Sequence, residues 1–165
     1  MAQDHSFDIV SKVDIQEVRN AVQMSLKEIA QRYDFKGTSA GVTLEEKPLQ
    51  LVLTADHDLQ LENVRDLVLT KMAKRGVSMK AFKSEEKEPA PGGKLRRKVT
   101  IQQGISQEQA KAISQAIRAL GLKVQPRIEG DKVKISARQI DDLQTVINSL
   151  QQKDFGTAIQ VENYR

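Results

Sequence analysis

The chain contains no cysteine and no tryptophan, only two histidines, four prolines and six aromatic rings in 165 residues. Without cysteine, disulfides, thiol nucleophiles and thiolate-ligated metals are excluded. The scarcity of rings predicts aliphatic cores. No apolar run reaches the ~18 residues of a membrane-spanning helix. The opening MAQDHSFDIV lacks a basic stretch followed by an apolar one, so the expectation is a protein without a secretory signal, in the cytoplasm. Motifs that carry chemistry are missing too: there is no phosphate-cradling GxGxxG or Walker-type loop, no GxSxG nucleophile elbow and no HExxH zinc motif. Gly92-Gly93-Lys94 is too short to serve as one.

What is present is one order of segments written twice. Strand, helix, strand, strand, helix, strand can be read from Ser6 to Lys83 and again from Lys94 to Tyr164. In the first copy Phe7, Ile9 and Ser11 alternate with Asp8, Val10 and Lys12. A helix begins at Asp14, with Glu17 placed for a capping box and a stripe of Ile15, Val18, Val22, Leu26, Ile29 and Tyr33. Strands 41–46 and 49–55 flank Lys47-Pro48, a helix capped by Asp56 or Asp58 carries Leu61, Val64, Val68 and Met72, and 77–82 closes the copy. In the second copy Ser106 and Gln109 make a capping box, and Gly130-Asp131 turns a hairpin between 123–129 and 132–136. The last helix opens at Gln139 or Asp141, and 158–163 ends the chain's pattern. Pro126 falls within the second strand of its copy; a proline cannot donate to a ladder, so that strand is expected at an edge. Between the copies lies SEEKEPAPGG (84–93), acidic and nearly free of apolar side chains, which reads as a linker. The fold class is therefore α+β, with two ferredoxin-like βαββαβ domains.

Charge is uneven. Residues 1–90 carry 13 Lys/Arg against 15 Asp/Glu, a net of −2; residues 91–165 carry 13 against 7, a net of +6. Lys94, Arg96, Arg97 and Lys98 crowd one strand. In the hairpin, Lys123, Gln125 and Arg127 share a face with Lys132, Lys134 and Ser136, opposite Val124, Ile128, Val133 and Ile135. Helices cover one face of such a sheet, so the cationic face is left to water, where it attracts phosphate oxygens or simply forms the solvated side of an amphipathic sheet. RNA-recognition modules of this fold stack bases on rings in the central strands. LQLVLTA, LRRKVTIQ and KVKIS carry none, which argues against base readout by that mode. The one cluster suggesting catalysis or a metal is Asp56-His57-Asp58; all three are capping residues at a helix start, and capping is the favoured reading. His5 is expected in the terminal segment.

Several motifs run through the whole chain: Ser6-Phe7-Asp8-Ile9-Val10-Ser11, Asp14 to Val22, Arg32-Tyr33-Asp34-Phe35-Lys36-Gly37, Gln103-Gly104-Ile105, Leu122 to Gln125, Asp141 to Gln144, and Asp154-Phe155-Gly156 with Glu162-Asn163-Tyr164. In these the chain resembles the bacterial YajQ family. The resemblance implies that the two domains exchange first strands, so that the first would comprise 13–84 with strand 94–103, the second 1–12 with 104–165, and 85–93 would be the linker. It implies a nucleotide-binding protein without catalytic activity or cofactor, with cyclic di-GMP and RNA as candidate ligands. Departures from the family pattern are Lys12, Pro126-Arg127 and Gln139-Ile140, the last leaving Arg138 as the nearest cation to Asp141-Asp142. The candidate nucleotide-binding residues are Arg32, Lys36, Arg96, Lys98, Arg127, Lys132 and Lys134. The alternative functions are an RNA-binding accessory protein, a metal-dependent hydrolase using Asp56, His57 and Asp58, and a protein-interaction module.

Overall fold

The computed structural model describes residues 4–165. Its elements run β1 (His5–Val10), α1 (Ile15–Gln31), β2 (Gly41–Glu46), β3 (Leu49–Ala55), α2 (Asp58–Lys74), β4 (Phe82–Ser84), β5 (Glu88–Ala90), β6 (Lys94–Ile101), α3 (Gln107–Arg118), β7 (Val124–Glu129), β8 (Lys132–Ala137), α4 (Ile140–Gln151) and β9 (Gln160–Glu162). His5 opens a strand rather than lying in a loose terminus. Among the described residues no helix is long and apolar enough to cross a membrane.

Two compact modules result. Val13–Gln102 forms one, and Gln103–Arg165 with the chain's start through Lys12 forms the other. The first, the central module, has strand order β2-β3-β6-β4, with β5 also paired to β6. The second, the terminal module, has the order β7-β8-β1-β9. Both are antiparallel ferredoxin-like sheets, and β6 and β1 respectively hold the inner place of a first strand. Pro126 sits on β7, an edge strand, as its missing N–H requires.

Strand parity places each core. In the central module Leu51, Leu53 and Ala55 of β3 and Val99 and Ile101 of β6 are buried with Val18, Val22 and Ile29 of α1 and Leu61, Val64, Val68 and Met72 of α2. In the terminal module Phe7, Ile9, Val133 and Ile135 meet Ile113 and Ile117 of α3 and Leu143, Val146 and Leu150 of α4. Helices therefore cover one face of each sheet and leave the other without a helix.

Local signals were redirected in several places. Asp14 caps α1 through Gln16 N and Glu17 N, but the Glu17 carboxylate turns to Arg75 (2.7 and 3.0 Å) instead of closing a capping box. Tyr33 lies beyond the end of α1 and is 98 % exposed, so it leaves the apolar stripe its spacing predicted. The segment read as a linker folds: β5 pairs Glu88 with Arg96 and Ala90 with Lys94, and 85–93 belongs to the central module. Its side chains bury little; register with β6 and charge hold it.

Candidate functional site

The most basic strand is also the most neutralised. On β6, Lys94 Nζ lies 3.0 Å from Asp56, Arg96 Nε 2.9 Å from Glu88, Arg97 2.5 Å from Glu62 on α2, and Lys98 4.0 Å from Glu88. Arg97 shares parity with the core residues and points toward α2. Arg96 and Lys98 take the helix-free face, where β5 delivers one carboxylate to both. Arg32 is held elsewhere: it donates to both Asp34 oxygens (3.0 and 2.7 Å) and lies 4.4 Å over the Phe35 ring. That hydrogen-bonded pair lowers the Asp34 pKa and raises that of Arg32. Lys36 is exposed and has no ion pair among the described residues; it lies on the turn after α1, where its N–H donates to Arg32 O at 2.9 Å.

The helix-free face of the terminal module is arranged differently. Register places Glu162, Asp8, Lys134 and Arg127 in one row across β9, β1, β8 and β7. The row passes from acidic to basic toward the β7 edge. Asp8 is buried at 7 % exposure, accepting from Asn163 Nδ2 at 2.9 Å and pairing with Lys132 at 3.4 Å. The Asn163 hydrogen bond chiefly, with Lys132 and Lys134 nearby, holds the Asp8 carboxyl below its ordinary pKa despite burial. Lys132 is thereby paired to Asp8. Lys134 has no ion pair among the described residues, and Arg127, its cross-strand partner, has only Glu129 at 3.5 Å and a side chain 78 % exposed. An exposed pair of that length contributes little.

These two cations border a hollow of about 470 Å³ with Ser6, Gln125, Ser136 and Asp4. A second hollow, about 590 Å³, adjoins it at the end of the same hairpin and shares Asp4, Gln125 and Ser136. It adds Lys123, Arg138, Gln139 and Asp142. Sequence periodicity put Arg127, Lys132 and Lys134 on one face but did not show Asp8 as the partner of Lys132. The signal was the alternation of Asp8 with Phe7, legible once β1 is seated beside β8.

The family model for the nucleotide-binding protein YajQ-like group matches residues 5–165. The chain belongs to the YajQ family. A protein of Carboxydothermus hydrogenoformans named "Nucleotide-binding protein" is 45 % identical over 165 residues, covering all of both chains. One of Geotalea daltonii with the same name is 48 % identical over 160 residues, 97 % of this chain and 98 % of its own. "Nucleotide-binding protein BCB4264_A1213" of Bacillus cereus is 43 % identical over 165 residues, again covering both chains fully.

In this YajQ-family chain the Asp56-His57-Asp58 cluster is tied into local structure. Asp56 accepts from Ser39 N (3.1 Å) and Ser39 Oγ (2.5 Å) and pairs with Lys94. His57, rather than either aspartate, is the N-cap of α2: its Nδ1 accepts from Gln60 N at 3.2 Å, which places the ring proton on Nε2. Asp58 pairs with Lys87 at 2.5 Å. The Ser39 and Lys94 hydrogen bonds bring the Asp56 pKa down to about 2. A carboxyl depressed on folding stabilises the native state above its unfolded pKa and loses that contribution as pH falls through the folded value. Acid titration of the wild type should therefore show a larger stability loss between about pH 4 and pH 2 than Asp56→Asn, which keeps only the losses from its other depressed carboxyls, Asp8 and Asp34 among them. Parallel acid-unfolding curves for the two proteins would refute it.

Proposed function

We propose that the chain is a non-enzymatic nucleotide-binding protein that holds the phosphate of its ligand on the helix-free face of the terminal module. The observation that carries this reading is the Arg127–Lys134 rung: two cross-strand cations, Lys134 with no ion pair among the described residues and Arg127 with only its exposed one to Glu129 at 3.5 Å, bordering a hollow of about 470 Å³. A guanidinium and an ammonium on adjacent strands offer charge-assisted donors to the oxygens of one phosphate. The hydroxyls of Ser6 and Ser136 and the amide of Gln125 line the same hollow and can donate to phosphate or ribose. The names of the relatives, all nucleotide-binding proteins, support the ligand class. Cyclic di-GMP falls within it, and a cytoplasmic site belongs with it. Lys132 serves by holding Asp8, and Arg32, Arg96 and Lys98 serve through their carboxylate partners in the central module rather than at this rung.

The test is calorimetry at low salt with wild type and Arg127→Ala/Lys134→Ala. The double variant should bind nucleotide roughly tenfold more weakly, with an unchanged melting temperature because both side chains are exposed. Equal affinity would exclude this face. RNA is the second reading, favoured by the second hollow beside the first. It is separated by salt: log affinity for a single strand falls with log salt by about 0.7 per phosphate engaged, so a multi-phosphate ligand gives a steep slope and a mononucleotide a shallow one.

A further inference from the structure

The hairpin carries a second basic rung. Lys123, Gln125 and Arg127 alternate with the inward Val124 and Pro126, and Lys134, Ser136 and Arg138 alternate with the buried Ile135 and Ala137. Register pairs Arg127 with Lys134 and Gln125 with Ser136. Continued one step past the strand ends, it sets Lys123 beside Arg138. The helix-free edge of the sheet therefore reads basic, neutral polar, basic. At ~3.3 Å per residue the two basic rungs stand about 13 Å apart along the strands. Each borders its own hollow, and the neutral Gln125–Ser136 rung lines both. Lys123 and Arg138 have no ion pair among the described residues.

We infer that Lys123 and Arg138 form a second phosphate subsite, and that the ligand of this face is a single-stranded oligonucleotide of three or more nucleotides lying along the hairpin. The inference rests on the reading of Arg127 and Lys134 as the first subsite. A mononucleotide carries its phosphate to one side of its base and fills one rung. The phosphates of a cyclic dinucleotide are tied across one small ring, too close to reach both. A strand with phosphates two nucleotides apart reaches both, with two nucleosides and the phosphate that joins them spanning the Gln125–Ser136 rung. The carboxylates of Asp4 and Asp142 line the second hollow as well. They oppose a bare polyphosphate, but they accept hydrogen bonds from base amino and imino groups, which an oligonucleotide presents between its phosphates. Among the described residues no aromatic ring lines either hollow, so binding is led by phosphate and tolerant of sequence.

The experiment measures binding of UMP, of 5′-phosphorylated tetrauridylate and of a linear tetraphosphate by calorimetry at low salt. It uses wild type, Lys123→Ala/Arg138→Ala and Arg127→Ala/Lys134→Ala. Wild type should prefer the tetranucleotide to both other ligands. Lys123→Ala/Arg138→Ala should lose roughly tenfold toward the tetranucleotide, with a shallower salt slope, and nothing toward UMP. Arg127→Ala/Lys134→Ala should weaken both nucleotide ligands. If Lys123→Ala/Arg138→Ala binds the tetranucleotide as wild type does while Arg127→Ala/Lys134→Ala weakens UMP, the second subsite is refuted and the first stands. If Arg127→Ala/Lys134→Ala changes neither ligand, the first subsite falls, and this inference with it. A tetraphosphate bound as tightly as the tetranucleotide overturns the assignment of the ligand as an oligonucleotide.

Discussion

Phe7→Ala is expected to destabilise the terminal module by about 3–5 kcal/mol while leaving the sheet of the central module protected. Phe7 lies near the start of the chain, yet it is fully buried and pairs with Ile135 on β8. It packs in one cluster with Ile9, Ile113, Ile135 and Leu143. Its ring stacks on Tyr164 with centroids 6.0 Å apart and planes 4° from parallel, adding ~0.5–1.5 kcal/mol beyond area alone. Alanine removes the ring and leaves a cavity at the middle of a strand with neighbours on both sides, where collapse is hindered. Amide hydrogen exchange across a urea series measures the effect sheet by sheet. Amides of Val133 to Ala137 should lose protection, and those of Leu51 to Ala55 should keep it. Equal losses in both sheets would be incompatible with β1 serving the terminal module's core.

That result bears on what a chain's periodicity reports. Alternation told that Phe7 and Ile9 face a core, but nothing in the alternation said which core. The apolar faces of β1 and β6 are interchangeable in character, Phe-Ile against Leu-Val-Ile. The resemblance to a family implied the pairing, whereas composition and spacing did not. Strand and helix identities were legible because each rests on neighbours within a few residues: Ser106 and Gln109 do close a capping box, and Pro126 does occupy an edge. The charges were harder, because ion pairing depends on register between distant strands. Arg96 and Lys98 read as free on β6, but Glu88, only eight and ten residues earlier, returns beside them as β5. The composition that marked 84–93 as unable to bury a core was read correctly as chemistry. It did not exclude a strand held by edge pairing and opposite charge. Lys134 and Arg127 keep their exposure for the converse reason. Of their row's acids, Glu162 lies two strands from β8 on β9, and Asp8, although it faces Lys134 from β1, is committed to Asn163 and Lys132. Electrostatic availability is thus decided by cross-strand register, a quantity no local count of Lys and Arg contains.

Gly104→Ala should produce the second large loss, about 2–4 kcal/mol, through two causes that can be separated. Gly104 has φ +83°, a conformation costing roughly 1–2 kcal/mol for a residue with a Cβ. The added methyl would also stand 2.8 Å from Asp131 Oδ2 and 2.9 Å from Asp131 Cβ. The carboxylate can swing away, but Cβ is fixed to the turn between β7 and β8. That turn cannot retreat freely either, because Asp131 O accepts from Ile105 N at 2.9 Å, while Gly104 N donates to Ser11 O at 2.6 Å. The glycine thus sits where the end of β1, the hairpin turn and the entry to α3 are tied together by backbone hydrogen bonds. Gly130→Ala is the control: its φ is +62° and a Cβ there meets nothing within 4 Å, so it carries the conformational cost alone. Denaturation midpoints should rank wild type above Gly130→Ala and Gly130→Ala above Gly104→Ala. Asp131→Gly should restore part of the loss in the Gly104→Ala background, since it removes the atom that cannot move. If Gly104→Ala proves no worse than Gly130→Ala, the close approach of Asp131 is not what demands glycine at this junction, and left-handed backbone geometry alone accounts for it.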